Sequence, residues 1–555
     1  MEGGSRVSTS THRPLRPIVE VAAEAGLEPA EIVLYGPHMA KVPLEALARR
    51  GEVRGRVVLV TAITPTPAGE GKTVTAVGLA QGLRRLGVRT VLCLRQPSMG
   101  PVFGMKGGGT GGGRCTVEPA SSINLHFTGD FHAVAAATNL LAAIIDEHLY
   151  RERTPRLDVR HITHHRVLDV NDRALRSAVV GLGGGLPREE RFEITAASEV
   201  MAVLALAADY ADLRRRLGRI VVGTSSEGIP VTADDLRAAG AMAVLLREAL
   251  QPNLVQTQEG GPALVHAGPF GNIAHGTSSL VSLRLAQALA EIVVVEAGFG
   301  ADLGAEKFVH VVGAHGGPQP TAAVVVATVR ALRHHGGVPP DRVEQPDLAA
   351  VHAGLPQLGH HVHLVRRLGM RPVVCVNRFA SDTAAELDAV LAAARALDVP
   401  AAVCEAYATG GAGADALARL VRDATALGPL QEGGRLYGPE TPLRAKVETV
   451  ACQVYGAAGV VFAPPAARRL AEAERHGFGR LPVCIAKTQY SLTDQPQIRG
   501  VPAGFELHVR EAAVRAGAGF VLVVAGDITT MPGLPARPRA WEIDLDPDGT
   551  VRGIA

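Results

Sequence analysis

Within this 555-residue chain, the segment TPTPAGEGKT (64–73) holds the residues best suited to chemistry on an anion. Gly69 and Gly71 permit backbone conformations closed to other residues and let successive amides face a phosphate. Lys72 supplies a cation able to reach a β- or γ-phosphate, and the Thr73 hydroxyl is a ligand type suited to Mg2+. The candidate ATP-binding stretch is therefore Thr66, Pro67, Ala68, Gly69, Glu70, Gly71, Lys72 and Thr73, with Thr66 where the strict GxxxxGK[ST] pattern has its first glycine. A second cation, Arg95, follows the apolar run TVLCL (90–94), and a planar guanidinium can clamp a phosphoryl or carboxylate group through two hydrogen bonds. Lys106 lies in the glycine-rich loop MKGGGTGGG (105–113), of a kind that can approach a ligand closely. Lysine is scarce: it occurs at 41, 72, 106, 307, 446 and 487, against fifty arginines. A sequence that uses arginine wherever a surface cation suffices keeps lysine where a compact, flexible ammonium is needed.

Chemistry at those positions needs rigid elements behind it. RVVLVTAI (56–63) reads as a strand that runs into the glycine loop, and TVTAVGLAQGLRRLG (73–87) as the helix after it. TVLCLRQP (90–97), EIVVVEAG (291–298), RPVVCVN (371–377), VPAAVCEA (399–406) and GFVLVVAGD (519–527) read as further strands, each ending in a polar or glycine-rich loop. Near-continuous apolar strands separated by helices indicate parallel sheets covered on both faces, with ligands gathered at the carboxyl ends. The expected fold class is α/β. It has a P-loop-type nucleotide domain (1–110 and 265–364), an inserted subdomain (111–264) and a further α/β C-terminal domain (365–555) that contributes to the site.

With 56 basic and 54 acidic residues the formal charge is +2, so nothing points to nucleic acid or an acidic membrane surface as partner. No run of about 18 apolar residues suggests a membrane span, and the first residues lack the apolar core of a secretory signal. The six cysteines form no CxxC pair and sit mostly in apolar runs, as buried reduced thiols of a cytoplasmic protein would.

TPTPAGEGKT together with LRQPSMGPVFGMKGGGTGGG (94–113) and INLHFTGDFHAV (123–134) resembles the formate–tetrahydrofolate ligase family. The likeness continues in GPFGNIAHG (268–276), EAGFGADLGAEKF (296–308), VNRFASDTAAEL (376–387) and AKTQYSLTDQP (486–496), collinear over nearly the whole chain. It implies a ligase in which formate attacks the γ-phosphate of MgATP. The resulting formyl phosphate then passes its formyl group to N10 of tetrahydrofolate. The substrates would be ATP, formate and tetrahydrofolate, with Mg2+, a homotetrameric assembly and the response to a monovalent cation often met in the family. Under the resemblance Arg95, Gln96 and Lys106 surround formyl phosphate. Lys72, Arg95 and Asp130 form the catalytic set, with Asp130 orienting the amine or the metal, and Phe379 and Tyr407 stack on the folate. The chain departs from the family in Gln96, where glutamate is usual, in Ser121 and Ser122, which replace an acidic pair, and in Tyr407, which stands for a tryptophan. A nucleotide- or folate-binding homologue without turnover is the alternative. A GTPase-like switch fits less well, because Asp382 follows Asn377 by five residues rather than three.

Overall fold

The computed structural model describes residues 14–51, 54–67, 69–104 and 108–554. Its centre is a twelve-stranded sheet in a mixed α/β arrangement. From Pro262–Val265 the order runs through Thr90–Leu94, Ile292–Glu296, Arg56–Ala62, Ala322–Ala327 and Arg371–Asn377 to Ala401–Cys404, and every pairing along that path is parallel. Antiparallel pairs extend the opposite edge through Asn253–Thr257 and Ala40–Lys41. Alternation along the strands explains the continuous apolar runs. Val57, Leu59, Val293, Val295, Ala323 and Val325 fill the core on one face. Val58, Val60, Val294, Val324 and Val326 fill the core on the other. A sheet buried on both faces has no solvent side, so period-two polarity disappears.

The strand Ala322–Ala327, beside Arg56–Ala62 at the sheet centre, was not foreseen. Its flanking alanines carry little strand signal, and only the run VVV (324–326) points to a strand.

The expected boundary near 365 needs correction. Arg371–Asn377 and Ala401–Cys404 continue the central sheet. The separate C-terminal sheet has four strands, ordered Gly459–Phe462, Glu506–Arg515, Phe520–Ala525 and Val483–Ala486. The expected insert is likewise not closed on itself, since Cys115–Glu118, Asn253–Thr257 and Pro262–Val265 all belong to the central sheet. What stands apart within it is a three-stranded sheet of Leu157–Ile162, Val221–Ser225 and Pro230–Thr232, together with two two-stranded pairs, Arg166–Leu168 with Phe192–Ile194 and Ala178–Val180 with Arg188–Glu190. Local pattern identifies a strand but not the sheet it joins, because that choice is made by partners distant in sequence.

Glu199 joins this middle region to the C-terminal sheet. Its carboxylate accepts from the Gly517 and Ala518 amides at 2.8 and 3.2 Å, with Arg515 Nη1 4.0 Å away. Burial pushes its carboxyl up to about 7, although Arg515 and the two amides oppose the shift. The folded protein therefore holds a proton, between about pH 4.5 and 7, that the unfolded chain has already lost. The contribution of Glu199 to stability should fall as pH rises through that window, by roughly 1 kcal/mol per pH unit. Denaturation of the protein and of Glu199→Gln, permanently neutral, at a series of pH values from 5 to 8 isolates this term, because the buried histidines titrate alike in both. The stability difference between the two should change by that slope up to about pH 7 and level off above it.

Candidate active site

The strand Arg56–Ala62 passes into the loop 64–71 and then the helix Lys72–Arg85. Gly69 and Gly71 both have positive φ, 77° and 68°, which glycine adopts without strain. A Cβ on Gly71 would also stand 2.4 Å from Asn377 Nδ2, and that amide donates to Glu70 O at 3.1 Å. The Glu70 side chain serves the loop itself. Its Oε1 accepts from the Thr66 amide at 2.7 Å and the Thr66 hydroxyl at 2.9 Å, and its Oε2 accepts from Thr328. The Gly69 amide donates to Thr66 O at 3.0 Å, and this anchorage leaves the Glu70 and Gly71 amides at a helix N-terminus, where the backbone dipole favours an anion. Pro67 lies in the same turn, and Ala68 lies outside the described residues.

Four carboxyl ends of the central sheet converge here. Arg95 follows Thr90–Leu94, Glu296 ends its strand, the loop 64–71 follows Arg56–Ala62, and Asn377 ends Arg371–Asn377. Thr73 Oγ1 donates to Glu296 Oε2 at 3.0 Å. Burial holds the Lys72 ammonium below its ordinary range. Arg95 adds to that shift, while Glu296, Glu70 and Asp302 oppose it. Burial lowers Arg95 as well, with Glu296 opposing. Arg95 Nη1 donates to Pro269 O at 2.9 Å. Among the described residues neither cation makes an ion pair. Two part-buried cations that no ion pair neutralises make a site for an anion.

A family model for formate–tetrahydrofolate ligase matches residues 5–555. A formate–tetrahydrofolate ligase from Paracoccus denitrificans is 52% identical over 97% of this chain and 97% of its own length. One from a Nocardioides strain is 54% identical over 98% of each, and one from Thermus thermophilus is 53% identical over 97% of this chain and 98% of its own. The chain belongs to the formate–tetrahydrofolate ligase family.

The positions brought forward by that family likeness fall in distinct surroundings. Gln96 is 2% exposed, and both polar atoms of its side-chain amide lack a hydrogen-bond partner among the described residues. Lys106 lies outside the described residues. Phe379 and Tyr407 follow adjacent parallel strands, paired through Asn377 and Cys404. The Arg330 guanidinium covers one face of the Phe379 ring, 3.6 Å from its centroid, and also donates to Gly69 O at 3.3 Å. Asp382 accepts from the Phe379 amide at 2.8 Å and so shapes the turn that presents the ring. Tyr407 is 60% exposed beside the glycine run, where a Cβ on Gly112 would meet its ring at 3.2 Å.

Asp130 opens the helix Asp130–Tyr150 against the antiparallel edge of the sheet, where its carboxylate is committed. Oδ1 accepts from Lys41 Nζ and Oδ2 from Asn253 Nδ2, both at 2.7 Å, and the side chains of Lys41 and Asp130 are 1% and 2% exposed. The sequence reading missed Glu296, whose signal was an acid closing the run IVVVE, and Arg330, which carried none.

Proposed function

We propose that the protein ligates formate to tetrahydrofolate, driven by ATP, giving 10-formyltetrahydrofolate, ADP and phosphate. The unneutralised pair of Lys72 and Arg95, beside a glycine loop at a helix N-terminus, carries this reading. Family membership supports it, since the relatives bear the name of that activity.

In the first step a formate oxygen attacks the γ-phosphorus and the bond to the ADP oxygen breaks, leaving formyl phosphate. Lys72 and the Glu70 and Gly71 amides hold the transferring group, and Arg95 binds formate and then the acyl phosphate through its planar donors. The N10 lone pair then attacks the formyl carbon. The carbon–oxygen bond breaks, phosphate leaves with its electrons, and the amine loses a proton. Burial around Lys72 and Arg95 protects an acyl phosphate that water would hydrolyse. A hydroxyl and a carboxylate meet at Thr73 and Glu296, a donor set that fits Mg2+ bound with ATP, where the ion would draw charge from the phosphates.

Phe379 and Tyr407 offer the folate its stacking faces. Tyr407→Ala should raise the Michaelis constant for tetrahydrofolate about tenfold and leave that for ATP near its starting value, as lost stacking of 1–2 kcal/mol implies. Equal effects on both substrates would mark the ring as structural. Asp130, with both oxygens engaged, belongs in this reading to the frame around the site.

The nucleotide unit is assigned to the central sheet, with the 157–232 sheet and the 459–525 sheet as its two additions. A cytoplasmic homotetramer belongs to the same proposal. Val179, Leu182 and Leu186, 62%, 75% and 47% exposed in the 178–190 region, support a contact between copies. Activation by a monovalent cation rests on the family likeness. The deciding assay supplies MgATP, formate and tetrahydrofolate and reads the methenyl product after acid. Product dependent on both formate and ATP is expected, and its absence with ATP still bound would favour a homologue without turnover.

A further inference from the structure

Thr64, the first residue of the phosphate loop, lies just past the last ladder bond of its strand, Ile63 N to Val326 O at 3.0 Å. It is 0% exposed, so its peptide groups need partners that neither the sheet nor solvent supplies. Two histidines supply them. The Thr64 amide donates to His361 Nε2 at 2.9 Å, which fixes that nitrogen as an acceptor with the ring proton on Nδ1; the Thr64 hydroxyl and Gln357 Oε1 each lie 3.1 Å from it. His335 Nε2 stands 2.8 Å from Thr64 O, an acceptor, so that nitrogen carries the ring proton and donates. His335 Nδ1 then accepts from the Gly500 amide at 3.2 Å, while Gln357 Nε2 donates to Gly500 O at 2.6 Å. Gln357 and His361 share one face of the helix Leu348–Arg367, and His335 closes the helix Val329–His335. Two helices therefore hold two peptides at once, one opening the phosphate loop and one in the segment 488–505.

We propose that His335 and His361 are positioning residues for nucleotide binding, and that His335 ties the phosphate loop to the segment around Gly500. The proposal rests on the nucleotide reading of the loop. His361 is 0% and His335 5% exposed. Burial holds His361 near 3 and depresses His335 too, so both rings stay neutral at ordinary pH and His361 Nε2 remains an acceptor. The imidazoles fix where the strand ends and so where the Glu70 and Gly71 amides point. A displacement of a fraction of an ångström there weakens every phosphate contact together.

Substitutions can separate the two bonds of His335. Glutamine at this position retains a donor for Thr64 O, whereas asparagine retains only an acceptor for Gly500 N. The experiment measures binding of Mg2+ with a non-hydrolysable ATP analogue by calorimetry, and Michaelis constants for ATP and tetrahydrofolate, on the full chain. His335→Asn and His361→Leu should weaken analogue binding about five- to tenfold and raise the constant for ATP in parallel, with that for tetrahydrofolate unchanged. His335→Gln and His361→Gln should recover most of the loss. Unchanged nucleotide affinity in the Asn and Leu variants, even with lower melting temperatures, would overturn the proposal. So would Gln variants as impaired as their counterparts. If His361→Leu does not fold, the His335 pair decides alone. Analogue binding that is absent from the unsubstituted protein would instead overturn the nucleotide reading itself.

Discussion

Replacing Lys72 by methionine is expected to lower kcat by about a thousandfold while leaving the melting temperature unchanged or raised. The first half follows from the site. Lys72 is one of two unpaired cations at the converging strand ends, and removing one preorganised electrostatic partner of a transition state costs about 100- to 1000-fold. The second half follows from the direction of its shift. Burial depresses the Lys72 ammonium despite Glu296, Glu70 and Asp302, so the fold pays to keep this charge. An apolar side chain of similar length removes that cost. A structural lysine would behave in the opposite way, with lost stability and modest loss of rate. Steady-state kinetics and a thermal melt on the same preparation separate the two, and near-normal turnover would remove the phosphate-site assignment.

Asp130→Ala should act through stability instead. The variant leaves Lys41 charged, 1% exposed and without its carboxylate, and breaking such a pair typically costs about 3–5 kcal/mol. Asn253 loses its acceptor as well, so the junction of the helix Asp130–Tyr150 with the sheet edge loosens. The double variant Lys41→Met with Asp130→Leu should regain much of the stability, because no uncompensated charge remains. Denaturant midpoints for the two single variants and the double variant measure this. A fall in kcat with unchanged midpoints would return Asp130 to the catalytic set.

How much was legible can be judged residue by residue. The loop 64–73 between a strand and a helix was readable because positive φ at Gly69 and Gly71, and a cation just after them, are local requirements. Arg95 was readable for the same kind of reason, at the end of an apolar run. Asp130 shows the limit. Its sequence neighbours present it as a polar group in a turn, yet Lys41 and Asn253, 89 and 123 residues away, take both its oxygens. Arg330, His335 and His361 contribute through partners still more distant in sequence, and no local pattern marks them; Glu296 showed only the acid that closes its apolar run.

The lysines make the same division plain. Their scarcity in the sequence already implied that each does something arginine cannot, and in the structure Lys41, Lys307, Lys446 and Lys487 are all buried. Lys446 donates to three backbone carbonyls, and Lys487 bonds Asp302 and two more. Composition by itself determined that these ammonium groups are special, because a compact, rotatable donor fits where a guanidinium does not. Strand type, the phosphate-loop geometry and family likeness were likewise determined by residues close together in the chain. Only the tertiary structure decided which sheet each strand joined, which charges were neutralised and which were left for a ligand. Burial and pairing depend on groups brought together from distant parts of the chain, and one-dimensional spacing does not encode them.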